Sequence, residues 1–146
     1  MFLKADIPVV CVSLHQSLDP TINISIGRAL KSLREEDILI LGSGYTFHNM
    51  NAFFNPSFES HNASVQFNQW LKKIILEKDM SELKRWESAP GARTCHPREE
   101  HLVPLFVVAG ASEDPNTEPQ LIYDTTSASG DHAVTGYVFS ESKCSA

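Results

Sequence analysis

A chain of 146 residues, 42% hydrophobic and 21% charged, has ordinary globular composition, and at this length one domain buries roughly two-thirds of its unfolded surface. The net charge of −6, with no basic cluster longer than Lys72-Lys73, excludes the electrostatic footprint of a nucleic-acid binder. A small anionic substrate would need a metal or local positive charge to overcome that field.

Taken in chain order, residues 8–14 (Pro-Val-Val-Cys-Val-Ser-Leu) are β-branched and read as a buried strand. Residues 15–20 are a polar loop. Ile22, Ile26, Ala29, Leu30 and Leu33 carry the spacing of an amphipathic helix over residues 22–34. Residues 37–41 read as a second buried strand, ending in Gly42-Ser43-Gly44. Strand, helix and strand make a βαβ unit, so the expected fold class is α/β, with a mixed, mostly parallel sheet flanked by helices. Residues 49–61 read as a long loop carrying aromatics, and residues 63–76 as a helix with Val65, Phe67, Trp70, Leu71, Ile74 and Ile75 on its apolar face. A short helix follows over residues 80–87 and breaks at Ala89-Pro90-Gly91. Pro97 suits the first position of a further helix, with Glu99 and Glu100 at its positive end. Residues 102–111 are apolar and buried, and Pro104 kinks or restarts the helix there. Residues 112–119 form an acidic solvated loop. Residues 120–123 and 134–140 read as strands near a sheet edge, and the last six residues as a frayed end.

The three cysteines, Cys11, Cys95 and Cys144, are an odd number without zinc-site spacing, and predict reduced thiols in a cytoplasmic protein. Lys4, Asp6 and Pro8 interrupt the first residues, so no secretory signal is expected. No apolar run reaches the about 20 residues of a membrane span. Asn23-Ile24-Ser25 and Asn62-Ala63-Ser64 match the glycosylation sequon and, without a signal, read as chance matches.

Candidate chemistry concentrates in histidines. His48 follows a strand end across a loop with two glycines, where open α/β sheets place their ligands; it reads either as a metal ligand or proton carrier or as a loop histidine bonded to backbone. His96 and His101 are five apart, about 140° around a helix, so they do not share a face as a zinc pair would. They read as one ligand plus one pocket residue, or as a cap and a core histidine. Glu99 and Glu100 read as surface charges favoured by the helix dipole; turned inward, either would orient a histidine. His15 is a weaker candidate, and His61 and His132 are expected to be exposed. Phe47, Phe53, Phe54, Phe58 and Trp70 read as core, with one or two free to wall a ring-shaped substrate.

Taken together, residues 8–14, Ile26-Gly27-Arg28-Ala29-Leu30, residues 38–49, Phe67-Asn68-Gln69-Trp70-Leu71, Ala89-Pro90-Gly91-Ala92-Arg93, and His96-Pro97 through Glu100-His101 to Pro104-Leu105 resemble the C-terminal half of the class III extradiol ring-cleavage dioxygenases, in the DOPA 4,5-dioxygenase branch. The resemblance covers nearly the whole chain. It implies that residues 1–146 are the C-terminal portion of a single extradiol dioxygenase domain of the catalytic type, hence a partial domain. It implies an enzyme that opens catechol-type rings with non-haem Fe(II) and O2, with zinc(II) an alternative occupant. Carried over residue by residue, it makes His101 a metal ligand, His48 a metal ligand or catalytic acid/base, and His96 a substrate-binding residue. Full-length members are nearly twice as long, and their N-terminal half supplies further metal histidines. The implied partners are therefore a small aromatic diol, O2, and a missing N-terminal half or a homologous chain, with neither nucleic acid nor membrane. The alternative is a truncated, non-catalytic homologue acting as an interaction or regulatory module.

Overall fold

Capping chemistry and apolar periodicity account for most elements of the computed structural model, which describes residues 6–126 and 132–141. Helix α1 (Pro20–Leu30) opens on Asp19, whose carboxylate accepts from the Ile22 backbone N–H at 2.9 Å, and on Pro20, whose fixed φ suits the first turn. It tightens into a 3₁₀ turn, Lys31–Glu36. Asn49 caps the short α2 (Met50–Phe54), and Ser57 and Ser60 form a reciprocal capping box at the start of α3 (Phe58–Leu76). The expected aromatic loop is therefore largely helical. Asp79 caps α4 (Met80–Lys84), a 3₁₀ turn Trp86–Ser88 follows, and α5 (Ala92–Cys95) is a single turn. Helix α6 (Val103–Ala111) begins with Pro104 in its first turn. The helix start expected at Pro97 thus lies further along, because a proline in the first turn lacks only an N–H that the helix leaves unpaired. Strands β1 (Thr117–Asp124) and β2 (Thr135–Glu141) pair antiparallel, with a register shift between Leu121 and Tyr123. Part of the expected acidic loop is thus the start of β1, and the frayed end lies mostly outside the described residues.

The core is built between α3, α6 and the segments that join them. Ile24, Phe67, Leu71, Leu83, Trp86, Leu102, Val103 and Phe106 are each buried. Burying one such side chain contributes about 1.5–3 kcal/mol. Helices α1 and α6 make the most extensive helix contact. They meet backbone to backbone: a Cβ built on Gly27 would stand 2.0 Å from the Val107 carbonyl oxygen, and one on Gly110 2.2 Å from that of Ile24. Arg34 fastens the 3₁₀ turn to the hairpin by donating to Thr117 Oγ1 at 3.2 Å and to the Phe139 carbonyl at 3.2 Å. A buried polar hub ties α3 to β2. Asn68 Nδ2 donates to the Ala133 carbonyl at 2.9 Å and its Oδ1 accepts from Thr135 Oγ1 at 2.8 Å, while the Thr135 N–H donates to Thr46 Oγ1 at 2.9 Å.

The sheet differs from expectation. Among the described residues it has two strands, both antiparallel, and no parallel pair. Residues 8–14 and 37–41, expected as buried strands, pair with no strand among the described residues and stand largely exposed: Val10 is 86% exposed and Leu39 84%. A β-branched run becomes a buried strand only when neighbours accept its backbone groups and cover both its faces. Here, among the described residues, the Ile38 N–H reaches only the turn carbonyl of Leu33 at 3.3 Å, and only Leu14, at the end of the first run, packs against the core. The chain thus combines helices with a small antiparallel hairpin, and the mostly parallel sheet is not observed.

Candidate metal centre

The segment that carries His48 is clamped between two turns. The Tyr45 N–H donates to the His101 carbonyl at 2.8 Å, and the His48 N–H donates to the Cys95 carbonyl at 2.9 Å. Gly44 makes the first bond possible, because a Cβ there would lie 2.2 Å from the His101 oxygen. Asn49, next to His48, caps α2 and donates its Nδ2 to the Thr94 carbonyl at 2.8 Å. His101 sits in the turn before α6, where the Leu102 and Val103 N–H groups both donate to the Glu99 carbonyl. These anchors stack the His48 and His101 rings, with centroids 3.6 Å apart and planes 28° from parallel. A carboxylate oxygen of Glu100 joins them: the three residues offer one donor atom each, all within 4.8 Å of one another, and all three side chains are half-buried. Two imidazoles and one carboxylate are a donor set that fits a divalent first-row transition metal. Glu100, read from sequence as a surface charge or, turned inward, as a carboxylate that orients a histidine, is the cluster member that sequence reasoning did not count among the ligands. The available signal was Pro104, which holds the start of α6 back and leaves Glu100 in a turn.

His96 lies elsewhere in the same neighbourhood. It caps the end of α5 and is fully buried, edge-on to Phe67 at 5.3 Å and to Trp86 at 6.0 Å between centroids. Neither ring nitrogen makes a full hydrogen bond among the described residues. Burial pushes its pKa down to about 4; the nearby Thr46 carbonyl opposes this, and His48, His101 and Arg93 reinforce it through charge. The ring is therefore neutral at pH 7. Burial also pushes the Cys95 thiol up to about 12, so it is a packed, unreactive side chain and not a nucleophile. Cys11 is exposed, and Cys144 lies outside the described residues.

The turn that bears Glu100 and His101 has an outer brace. Arg93 stacks over the Trp86 ring at 4.7 Å and donates to Glu99 at 2.7 Å and to Glu87 at 2.6 Å. Glu99 is thus committed to a guanidinium, whereas Glu100 faces the histidines. Of the other histidines, His15 is exposed and bonded to Ser17. His61 and His132, expected at the surface, are half-buried. His132 stacks on Phe47 at 4.0 Å, and its Nε2 meets Ser60 Oγ at 3.0 Å. Phe47 is core as expected, while Phe53 and Phe54 on the short α2 and Phe58 at the start of α3 are exposed.

His101 also lies on the wall of a groove of about 580 Å³. Leu39, Leu41, Tyr45, Leu105 and Tyr137 are among its mostly apolar lining residues. That size and character match small-molecule clefts, commonly about 300–1,000 Å³. A second cavity, of about 290 Å³ against α3 and α4, shares no residue with the histidine cluster.

The chain resembles known proteins over most of its length. Residues 1–138 match the family model described as the catalytic LigB subunit of aromatic ring-opening dioxygenase. A relative named dioxygenase tasH, from Hapsidospora irregularis, is 38% identical over 76% of this chain and 38% of its own length. The 4,5-DOPA dioxygenase extradiol of Portulaca grandiflora is 35% identical over 92% of this chain and 48% of its own length. The chain thus spans less than half of either relative. A solved structure of an uncharacterized protein from Escherichia coli K12 superposes with a TM-score of 0.77 over 94% of this chain and 57% of that one. At 23% identity, that likeness speaks for the fold alone. With residues 1–138 matched, the chain belongs to the family of the catalytic LigB subunit of aromatic ring-opening dioxygenases.

Proposed function

We propose that this chain is the C-terminal, metal-binding portion of an extradiol dioxygenase that opens catechol-type rings with Fe(II) and O2. The observation that carries the reading is the convergence of His48 and His101 beside the apolar groove. Family membership supplies the reaction class. His48 and His101 would hold the metal, and Fe(II) there would supply open positions at which a catechol and O2 meet. The protein's own part is binding and proton handling. The groove beside His101 takes an aromatic ring against Leu105 and Tyr137 and keeps water from its apolar face. His48, its backbone held by Cys95, would serve either as a ligand or, with its ring off the metal, as the group that accepts a proton from a substrate hydroxyl and returns it later. His96, expected to bind substrate, would instead back the site from behind the pair, since it is fully buried and does not line the groove. The natural substrate is a catechol, and DOPA, which names one of the relatives, is the first to try.

The test is O2 uptake with DOPA after anaerobic loading with Fe(II) of the chain reconstituted with the N-terminal half of a family member, comparing it with His101→Ala. Ring opening by the reconstituted enzyme and its loss in the variant are expected. A variant that retains full turnover overturns the site assignment. A second reading, an interaction module, is favoured by the exposed apolar runs at residues 8–14 and 37–41. Absence of any O2 uptake by the loaded, reconstituted enzyme would favour it.

A further inference from the structure

We infer that the open rim of the groove is a self-pairing surface, on which residues 38–42 of one chain lie antiparallel to the same residues of a second copy, about a two-fold axis at Ile40. This pairing draws on the exposed run and not on the histidine pair, so its failure leaves the proposed reaction untouched.

The backbone of the run is open. The Ile38 N–H is bonded to the Leu33 carbonyl and the Tyr45 N–H to the His101 carbonyl. Between them, no N–H or carbonyl of residues 39–44 bonds to another backbone group among the described residues. Natural strand edges carry a charge, a proline or a bulge that turns a second chain away. From Ile38 to Phe47 the sequence has no charged residue and no proline.

Side chains supply the driving force. Leu39 is 84% exposed and Leu41 81%, whereas Ile38 is 44% exposed and Ile40 is half-buried. That alternation puts the two leucines on the outward face of an extended segment. Tyr45, Ile122 and Tyr123 line the same groove and are each more than half exposed. With Ile38, Leu39 and Leu41 they leave on the order of 700 Å² open per chain, so two copies would bury up to about 1,400 Å², inside the roughly 1,200–2,000 Å² of stable interfaces.

The same pattern chooses the occupant. Across a two-fold axis a segment meets itself, and a strand that meets itself runs antiparallel. Centred on Ile40, the pairing sets Leu39 opposite the partner's Leu41 and Leu41 opposite the partner's Leu39, so four leucines close over one another. A run without charge asks for no opposite charge in its partner, and a second copy supplies the matching leucines. The net charge of −6 on each copy opposes association, and salt screens that repulsion. The expected dissociation constant is about 10–100 µM, so the monomer predominates at the low-micromolar concentrations used to follow unfolding.

The test starts with sedimentation equilibrium of the chain from about 5 to about 300 µM, which brackets that constant. A monomer–dimer equilibrium is expected, tightened by added salt and weakened at least about tenfold in the double variant Leu39→Lys, Leu41→Lys. Oxidative cross-linking in a Cys11→Ser, Cys144→Ser background then locates the axis. Ile40→Cys stands opposite its own counterpart, with Cα atoms about 4.5–5.5 Å apart. It should cross-link at least about tenfold faster than Leu39→Cys, whose counterpart lies two residues along, beyond the about 7 Å that a disulfide spans. A chain that stays monomeric throughout, a dimer that withstands both lysines, or equal cross-linking by the two cysteine variants overturns the pairing. A monomeric chain that instead binds the N-terminal half of a family member through this rim gives the face to that partner and also overturns it.

Discussion

Acidification should unfold this chain through one buried histidine. His96 is enclosed by Phe67 and Trp86, and burial holds its pKa at about 4. In the unfolded chain the value returns to about 6.5. Between those values the unfolded state binds a proton that the folded state refuses, so stability rises with pH across the window. The contribution is complete above about pH 6.5 and is lost as pH falls toward 4. The difference of about 2.5 pH units corresponds to about 3 kcal/mol, of which about 2–3 kcal/mol is gone by pH 4.5. That is a large fraction of the 5–15 kcal/mol typical of a domain, so the effect is measurable by urea unfolding at pH 7.5 and pH 4.5, followed by circular dichroism. The matching variant is His96→Phe, which keeps an aromatic ring in the enclosure and removes the proton site. Other titrating groups contribute equally to both proteins and cancel in the comparison. The wild type should lose about 2–3 kcal/mol more than His96→Phe on acidification. Equal losses would show that the proton enters elsewhere and that His96 is not held neutral by the fold.

Two further outcomes are expected. Gly44→Ala places a methyl group against the His101 carbonyl, forcing the clamped segment off the turn by roughly 1 Å; the expected cost is about 1–3 kcal/mol, read as a fall of roughly 3–10 °C in Tm. An unchanged Tm would show that the segment is not held there. The double variant Leu39→Lys, Leu41→Lys changes side chains that are 84% and 81% exposed, so stability should move by less than about 0.5 kcal/mol while self-association in sedimentation velocity falls. A loss of several degrees in Tm would mean that these leucines are covered in solution.

Where local chemistry decides the outcome, the sequence is legible. Helix α3 follows from the spacing of Phe67, Trp70, Leu71, Ile74 and Ile75, and the hairpin strands follow from their β-branched and aromatic runs. Punctuation marks His48 and His101 as candidates one by one, but their convergence is carried by the family resemblance, since spacing in the chain does not say that the two rings meet. Features that depend on partners far along the chain, or on tertiary packing, are not legible. Residues 8–14 and 37–41 carry strand composition, yet a strand exists only through a neighbour's hydrogen bonds, and periodicity says nothing about whether that neighbour is present. Pro97 misleads because two prolines compete for one helix start. His132 has the polar neighbours of a surface residue, whereas Phe47 and Ser60, distant in sequence, draw it inward.

The glycine crossing of α1 on α6 has a consequence for the metal cluster. With no side chain between the two backbones, the crossing acts as a bearing without play, and α6 inherits its height from α1. The turn that carries Glu100 and His101 is the near end of that same rod. A methyl group added at Gly27 or Gly110 never approaches the histidine pair, yet it would lift the rod and with it His101. The spacing of that pair is therefore adjustable from a place that neither ring touches, and a defect in the site should be traced to that crossing as readily as to the histidines.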